Sequence, residues 1–311
     1  MKLIDSSVEI IPQEPNLLGV YKQIEIGGRT AYKSEDKITQ DSAKAFVDML
    51  ISRGHTAPLE QGTVYLKFEC SGLFNQIQEL WKKYKDNPYS KVKYAMEGWF
   101  VYAYVTTNAR VIFENGWQED LQYICKPTKH HEKRITTRFV CSRAIANELV
   151  RHRTFSFVQE STRYCNYSRN RFNNQLTFIN PYWVELPNGE YTSLYYDSDT
   201  DRSYVYINNK LYRFDDDFKS DDIISNKYFN FIQPLYYAEQ NYMVGLNSGF
   251  TPQQMRDILP SALKTEVVMT GYESDWKNFF NLRCAQSAHP DMQKLAKDLQ
   301  QQFKDNKIDA E

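Results

Sequence analysis

The chain has 311 residues and a net charge of −1, so it can bury a sizeable core and has no global positive field to attract nucleic acid. Its five cysteines are scattered, odd in number and without a C-x-x-C pair, which argues against a zinc site or a disulfide framework. No signal-like apolar run opens the chain, and no stretch approaches the length of a transmembrane helix. We therefore expect a soluble cytoplasmic protein with no membrane contact and no metal.

The first 70 residues predict three regular elements and one turn. A strand is predicted around residues 8–10, and the glycine pair in residues 27–32 favours a turn. A helix is predicted over Asp41–Gly54, where the final glycine suits the left-handed position that ends many helices. Apolar and polar residues alternate over Thr63–Cys70, which predicts a half-buried strand.

The next strand of comparable pattern is Arg134–Val140, so residues from about 71 to 133 lie between the two. His130 and His131 are predicted to lie in a solvated loop, because adjacent histidines point in different directions and suit a metal poorly. The intervening patterns predict a helix near Phe74–Tyr84, a strand near Trp99–Val105 and a helix near Asn108–Tyr123.

The most informative stretch is Ser142–Arg163. Its first part predicts a helix, with Glu148, Arg151 and His152 on one face. Apolar residues then alternate over Thr154–Phe157, which predicts an extended segment. The opposite face of the helix is an apolar stripe of Ile145, Ala146, Leu149 and Val150.

Polar side chains at a helix end beside an extended segment can converge on one concave spot, and these residue types favour anion binding. The arginine guanidinium group matches phosphate in a bidentate way, and the Ser161 hydroxyl adds a further donor. The same residues would also suit a solvated basic helix end, because cations are favoured near helix C-termini.

The C-terminal half predicts further elements. A hairpin with a primed turn at Asn208–Asn209 is predicted over residues 203–214. Asp215–Asp217 favours a turn and a helix start rather than a metal site. Helices are predicted over Tyr228–Leu246, from Thr251 to Pro260 with Met255, Ile258 and Leu259 facing inward, over Ser274–Arg283, and from Met292 onward. In the helix over Ser274–Arg283 an apolar stripe is formed by Trp276, Phe279 and Phe280 and also contains Arg283, so this arginine is expected to be paired.

The polar pattern within the Ser142–Arg163 stretch resembles the signature of the flavin-dependent thymidylate synthases, the ThyX family. That signature is Arg151-His152-Arg153, seven residues, then Ser161, closing with Thr162-Arg163-Tyr164. Three other segments are similar to the family: Gly54-His55-Thr56-Ala57-Pro58-Leu59-Glu60, Leu259-Pro260 and Asn281-Leu282-Arg283. The resemblance covers roughly residues 1–70, 134–170 and 250–300.

The resemblance implies an α/β (α+β) fold with a central, mostly antiparallel sheet flanked by long helices. It implies one domain over residues 1–311, with insertions at about 71–133 and 176–247. The family forms homotetramers whose active sites lie between subunits. The implied reaction converts dUMP to dTMP with 5,10-methylenetetrahydrofolate as carbon donor, FAD as hydride carrier and NADPH as reductant.

The resemblance also assigns site residues. Arg283 is expected at the uracil carbonyl and N3, as the catalytic residue. The expected FAD contacts are His55, Arg151, His152, Arg153, Gln159 and Asn278. The expected dUMP contacts are Glu148, Arg151, Ser161, Arg163, Arg283 and Lys264. Lys264 is included because Glu266 stands where the family has a nucleotide-contacting arginine.

Two other functional classes stay open on the sequence. A nucleic-acid-binding protein could use Arg151, Arg153, Arg163 and the 23 tyrosines, although the near-zero net charge argues against it. A nucleotide-binding relative could have kept the fold and lost synthesis. The departures from the family pattern at Ala57, Glu266 and Tyr272 motivate that alternative.

Overall fold

The computed structural model describes residues 1–70, 79–217 and 219–308. In this part of the chain the strands form three sheets, and most neighbouring strands are antiparallel. The expected α/β class is confirmed. The strands are β1 (Lys2–Ile4), β2 (Ser7–Ile11), β3 (Thr63–Glu69), β4 (Lys91–Glu97), β5 (Phe100–Asn108), β6 (Arg134–Ser142), β7 (Ser156–Gln159), β8 (Thr177–Ile179), β9 (Gly189–Asp197), β10 (Arg202–Ile207), β11 (Lys210–Phe214), β12 (Ile223–Ile224) and β13 (Lys264–Tyr272). The α-helices are α1 (Leu17–Tyr32), α2 (Ser42–Ser52), α3 (Ala109–Glu114), α4 (Arg143–Leu149), α5 (Phe229–Asn247), α6 (Pro252–Met255), α7 (Glu273–Arg283) and α8 (Pro290–Asp305).

The four-stranded sheet carries the motif. Its order is β2-β6-β13-β7, and every neighbouring pair is antiparallel. Helices α4, α7 and α8 cover one face, and Trp276, Phe279 and Phe280 of α7 are buried there as predicted. The apolar stripe of α4 is confirmed at Ile145, Ala146 and Leu149, whereas Val150 is 41% exposed.

The three-stranded sheet has the order β3-β5-β4 and packs on α1, α2 and α3. The prediction that β3 is half-buried was wrong, because Val64 and Tyr65, which point to opposite faces, are both buried. Helices α1 and α2 cover one face, and the rings of Tyr104 and His131 cover the other. The strand predicted from Arg134 forms as β6 and lies in the four-stranded sheet, whereas β3 lies in the three-stranded sheet.

The glycine-rich end of α1 does not form the predicted turn. Gly27 and Gly28 lie inside the helix, where they allow close packing. A Cβ atom on Gly28 would lie 2.6 Å from the Phe46 ring of α2, and one on Gly27 would lie 2.9 Å from Gln61. Arg29, in the last turn of α1, pairs with the buried carboxylate of Glu25 at 3.0 Å.

The six-stranded sheet has the order β12-β11-β10-β9-β1-β8 and packs on α5. The predicted hairpin is confirmed as β10 and β11, with positive φ at both Asn208 (50°) and Asn209 (66°). Asp215 does not open a helix. Its carboxylate is buried and forms ion pairs with Arg202 and Arg213, each at 3.2 Å.

Several other expectations changed in detail. The helix predicted over Asn108–Tyr123 ends at Glu114 and is followed by a separate 3-10 turn over Gln118–Tyr123. Within Phe74–Tyr84, residues 74–78 lie outside the described part, and a π-helical turn covers Trp81–Lys85. Ile258 is 44% exposed rather than inward-facing.

The two predicted loop histidines also differ from expectation. His131 is 5% exposed, and its Nε2 lies 3.1 Å from the carbonyl oxygen of Leu66. The loop therefore packs on the three-stranded sheet instead of being solvated. No group of His, Cys, Asp or Glu side chains able to hold a metal occurs among the described residues.

Candidate active site

The turn that contains the Arg151–Arg153 part of the motif lies between helix α4, which follows strand β6, and strand β7. Strand β6 ends at Ser142, whose Oγ accepts a hydrogen bond from the Ile145 backbone N–H at 3.3 Å and so caps α4. The chain turns over residues 150–155 and enters β7, which pairs with the middle of β13. The turn that contains Arg151, His152 and Arg153 is thus fixed at both ends by regular structure.

Three predicted residues come together at the end of α7, and we call them the Arg283 group: Glu148, His152 and Arg283. Arg283 Nη1 donates to Glu148 Oε2 at 2.6 Å, and its Nη2 donates to the Glu148 backbone oxygen at 3.1 Å. Arg283 Nε donates to His152 Nε2 at 2.9 Å. The half-buried guanidinium thus has the paired environment that its place on an apolar stripe required, and the partner is Glu148 of the same chain.

His152 is held in its neutral form. Burial and the positive charge of Arg283 lower the pKa of the imidazole to about 4. Its Nε2 accepts from Arg283, so the ring proton belongs on Nδ1. The ring also packs 5.0 Å from the Phe279 ring. At neutral pH this histidine is a fixed, uncharged acceptor.

Three of the expected flavin contacts are open to solvent. Arg151, Arg153 and Asn278 are all exposed. Neither arginine has a carboxylate within ion-pair distance in the described part of the chain. Their guanidinium groups are therefore available to an anionic ligand.

A second set of residues forms around the end of α1, and we call it the Arg163 group: Tyr32, His55, Arg163 and Tyr164. The Tyr32 hydroxyl lies 3.2 Å from His55 Nδ1, and its ring lies 5.4 Å from that of Tyr164. Arg163 packs over the Tyr164 ring and donates from Nε to Gln253 at 3.4 Å. Ser161 is attached to the same place, because its backbone N–H donates to the Ala31 oxygen at 3.0 Å.

The third set is a charged group that we call the lysine–glutamate cluster: Lys33, Glu160, Lys264 and Glu266. Lys264 Nζ lies 2.9 Å from Glu160 and 2.5 Å from Glu266, and Lys33 Nζ lies 2.5 Å from Glu266. Burial alone would raise the pKa of Glu266, but the two ammonium groups outweigh it and hold the pKa at about 2. The charge of Lys264 is thus already balanced inside the protein.

The remaining predicted residue, Gln159, lies beside this cluster. Its Nε2 donates to Thr265 Oγ1 at 3.3 Å, and the next residue, Glu160, donates its backbone N–H to the Glu266 oxygen at 2.9 Å. The sequence indicated neither Lys33 nor Glu160 as members. The unusual acidic residue at position 266 was a signal that cations must be near, but its partners come from elements far apart in sequence.

The family to which the chain belongs follows from its similarity to known proteins. The family model described as "Thymidylate synthase complementing protein" matches residues 127–306, which include α4, β7, β13 and α7. The chain belongs to this family. It is the ThyX family that the Arg151–Ser161 motif resembles.

Among solved structures, the chain is similar to the UMP/dUMP methylase PolB from Streptomyces cacaoi, in crystals with 5-Br dUMP and with 5-Br UMP. The identity is 14% in both cases, and the alignments cover 98% of this chain and 93% or 92% of the other. The TM-score is 0.40, so the family assignment relies on the sequence match instead. No match was found among curated protein sequences. None of the helices in the described residues is long and apolar enough to cross a membrane.

Proposed function

We propose that this protein methylates dUMP to dTMP in the cytoplasm, with 5,10-methylenetetrahydrofolate as carbon donor, FAD as hydride carrier and NADPH as reductant. The family match over residues 127–306 supports the proposal, because that range contains the whole Arg151–Ser161 motif and Arg283. We further propose a single domain that assembles as a homotetramer.

The residues proposed for FAD have suitable chemistry. Arg151 and Arg153 are exposed cations without a carboxylate partner in the described chain, which suits the pyrophosphate of a dinucleotide. His55, Gln159 and Asn278 would add neutral polar contacts, and the uncharged His152 would add a ring edge. When bound, the flavin supplies the hydride chemistry, and the side chains bind and orient it.

The nucleotide would be held by Glu148, Ser161, Arg163 and Arg283. Arg283 uses three N–H donors inside the protein, which leaves two of its five for the uracil carbonyl. Glu148 and His152 fix the direction of those donors before any ligand arrives. Negative charge that develops on the uracil would be stabilised by a cation that needs no reorganisation.

Ser161 is proposed to bind rather than to attack. A serine nucleophile needs a base within hydrogen-bond reach. The motif histidine, His152, directs its Nε2 to Arg283 instead, and His55 Nδ1, in the group beside Ser161, lies 3.2 Å from the Tyr32 hydroxyl. Detection of a covalent Ser161–nucleotide adduct by mass spectrometry would contradict this assignment.

Lys264 is proposed to contact the nucleotide phosphate, but it is less accessible for that contact than Arg163. Its ammonium group lies between two carboxylates, so a phosphate there would have to displace Glu160 or Glu266. Arg163 is the more accessible cation near Ser161, because its side chain is exposed and its hydrogen bond is to a neutral amide.

The decisive experiment is a visible absorption spectrum of the purified protein, followed by titration with dUMP. A flavin spectrum that dUMP perturbs, followed by dTMP formation with the folate donor and NADPH, would support the proposal. Arg283→Lys should then lose activity, whereas Arg256→Lys, at an exposed arginine outside the Arg283 and Arg163 groups, should keep it. Within the described residues the ion-pair partner of Arg256 is the exposed Asp257, at 3.7 Å, so this arginine is a control in an exposed pair.

One observation favours a second candidate, a relative that binds the ligands without synthesis. Tyr272 stands where the family has an asparagine that contacts the flavin, and its hydroxyl points away to the Tyr89 and Thr106 backbone oxygens. Flavin and dUMP binding without dTMP formation would establish this alternative. Salt-dependent oligonucleotide binding without flavin would instead favour a nucleic-acid-binding protein.

A further inference from the structure

The three-stranded sheet has one apolar face, and its other face carries three lysines and two glutamates. Side chains alternate along a strand, so the face opposite the core presents Lys91 and Lys93 of β4 and Lys67 of β3. The register places Lys93 and Lys67 on either side of Tyr104, and Lys91 opposite Thr106. This arrangement concentrates lysines on a surface that the hydrophobic core does not use.

A cleft of about 360 Å³ lies at the β4 edge of this face, and we call it the β4 cleft. Its charged lining consists of three lysines and one carboxylate, with one histidine ring. These residues are Lys85, Lys91, Lys93, His130 and Glu132, and Tyr104 forms the floor.

The positive charge of the β4 cleft is only partly balanced. Lys91 pairs with Glu132 at 2.6 Å, and the nearby carboxylate of Glu97 is held by Lys67 and Tyr104. Neither Lys85 nor Lys93 has a carboxylate within ion-pair distance among the residues described, and Lys85 packs over the Trp81 ring. The His130 ring packs 4.8 Å from Tyr104, and its nitrogens have no hydrogen-bond partner in the same part of the chain.

We propose that the β4 cleft binds a short chain of phosphates, either free or as part of a nucleoside di- or triphosphate. Lysine is a compact point charge that suits phosphate oxygens, and the imidazole adds a donor. The cleft exceeds the size of one phosphate, and its cations come from separate segments, so several phosphate groups can be contacted together.

Two observations favour a small ligand over a nucleic acid. The whole chain has a net charge of −1, so the protein as a whole does not attract a nucleic acid strand by its net charge. Tyr104, the aromatic residue of the cleft, is 1% exposed and cannot stack on a base.

The proposal does not depend on the proposed synthase activity. Lys91 Nζ also bonds Ser274 Oγ at 3.1 Å, at the start of α7, whereas Arg283 ends that helix. With a rise of about 1.5 Å per residue, the two ends are roughly 14 Å apart. A phosphate chain in the β4 cleft would therefore lie away from the Arg283 group.

The test is calorimetric titration of the full chain with tripolyphosphate, ATP and dTTP at low salt. In the variant Lys85→Ala/Lys93→Ala, the Kd for tripolyphosphate should rise at least about tenfold, because charge-assisted hydrogen bonds are lost. The control Lys294→Ala/Lys297→Ala removes two exposed lysines from α8 and should leave the Kd unchanged. If the double variant does not fold, Lys93→Gln alone changes one exposed side chain and should weaken binding several-fold.

The three probes distinguish a free phosphate chain from a nucleotide as the ligand of the β4 cleft. Equal affinities would identify the phosphate chain as the whole ligand, whereas binding of ATP or dTTP alone, lost in the cleft variant, would identify a nucleotide. Absence of binding by all three in the millimolar range would overturn the proposal. So would binding that survives in the cleft variant but is lost in Arg163→Ala, or a single-stranded oligonucleotide that binds this face more tightly than tripolyphosphate.

Discussion

The Arg283 group joins an ion pair within the fold to the residue that we propose as the contact to the uracil. Glu148 and Arg283 are each about a quarter exposed or less, so their pairing is neither fully screened nor fully desolvated. Loss of Arg283 would leave a carboxylate and an imidazole acceptor without their donor. Both groups, the Glu148 carboxylate and the His152 imidazole, would lose a donor that belongs to the same chain.

We predict that Arg283→Ala lowers the free energy of unfolding by about 1–2 kcal/mol, less than for a fully buried pair because water can reach Glu148. It should also reduce kcat at least about a hundredfold, because the proposed donor to the uracil is lost. Urea unfolding and steady-state kinetics measure the two effects. Arg256→Ala, at an exposed pair, is the control, and equal stability of the two variants would contradict the assignment.

His152 should make stability depend on pH. Its pKa is lowered to about 4, so between pH 6.5 and 4 the unfolded chain binds a proton that the folded chain does not. This contribution is therefore complete above pH 6.5 and is lost as the pH falls. After allowance for the half-exposed ring, we expect wild type to lose about 1 kcal/mol more than His152→Gln between pH 7 and 5.

Urea titrations at several pH values test this prediction. In Arg283→Met the positive neighbour is removed but the burial remains, so the pH slope should lie between those of wild type and His152→Gln. Parallel pH profiles for wild type and His152→Gln would show that the histidine is not held neutral.

At the residue scale, the sequence indicated that Arg283 and Glu266 need charged partners, but it did not identify those partners. Residue spacing placed Arg283 on an apolar stripe and required a partner for it, but Glu148 is 135 residues away and could not be identified by spacing. Glu266 likewise signalled cations nearby, whereas its partner Lys33 directly follows α1, 233 residues earlier. Such pairs depend on tertiary structure, which local patterns do not encode.

At the scale of elements, periodicity was reliable where packing is local. The Asn208–Asn209 hairpin and α7 follow directly from their patterns. Strand partners are non-local, so the sequence did not reveal that β3 pairs with β5, which lies inside the segment predicted to be an insertion. Residues 91–108 therefore complete a sheet that the N-terminal region begins.

The glycines of α1 show why the sequence predicted a turn that does not form. Glycine usually marks a turn, but here it permits α1 to approach α2. We predict that Gly28→Ala destabilises the protein by about 1 kcal/mol. The gain in helix propensity is about 1 kcal/mol, and a Cβ 2.6 Å from the Phe46 ring costs more than that.

A double-mutant cycle with Phe46→Leu identifies the cause. The smaller side chain leaves room for the new methyl group, so the two changes together should cost less than their sum by at least about 0.5 kcal/mol. Simple additivity in thermal or urea unfolding would mean that the steric contact is not the origin of the effect.

At the scale of the whole molecule, the predicted site residues fall into separate groups. Glu148, His152 and Arg283 lie at the end of α7, whereas His55, Arg163 and Ser161 gather around the end of α1. The structure gives no contact between these two groups within one chain. The resemblance implies active sites between subunits, and the separation is what such a site requires if each subunit supplies one group.

We therefore predict that two inactive variants restore activity when their subunits are mixed. Arg283→Ala disables the first group and Arg163→Ala the second. In a random equal mixture, about a quarter of the sites would pair an intact Arg283 group with an intact Arg163 group from a neighbouring subunit, and activity should return to that level. Light scattering of the unmixed wild type should give the mass of a tetramer. If both groups of a site came from the same chain, every site in the mixture would contain one defect and no activity would return, because subunit exchange cannot repair a site built from one subunit.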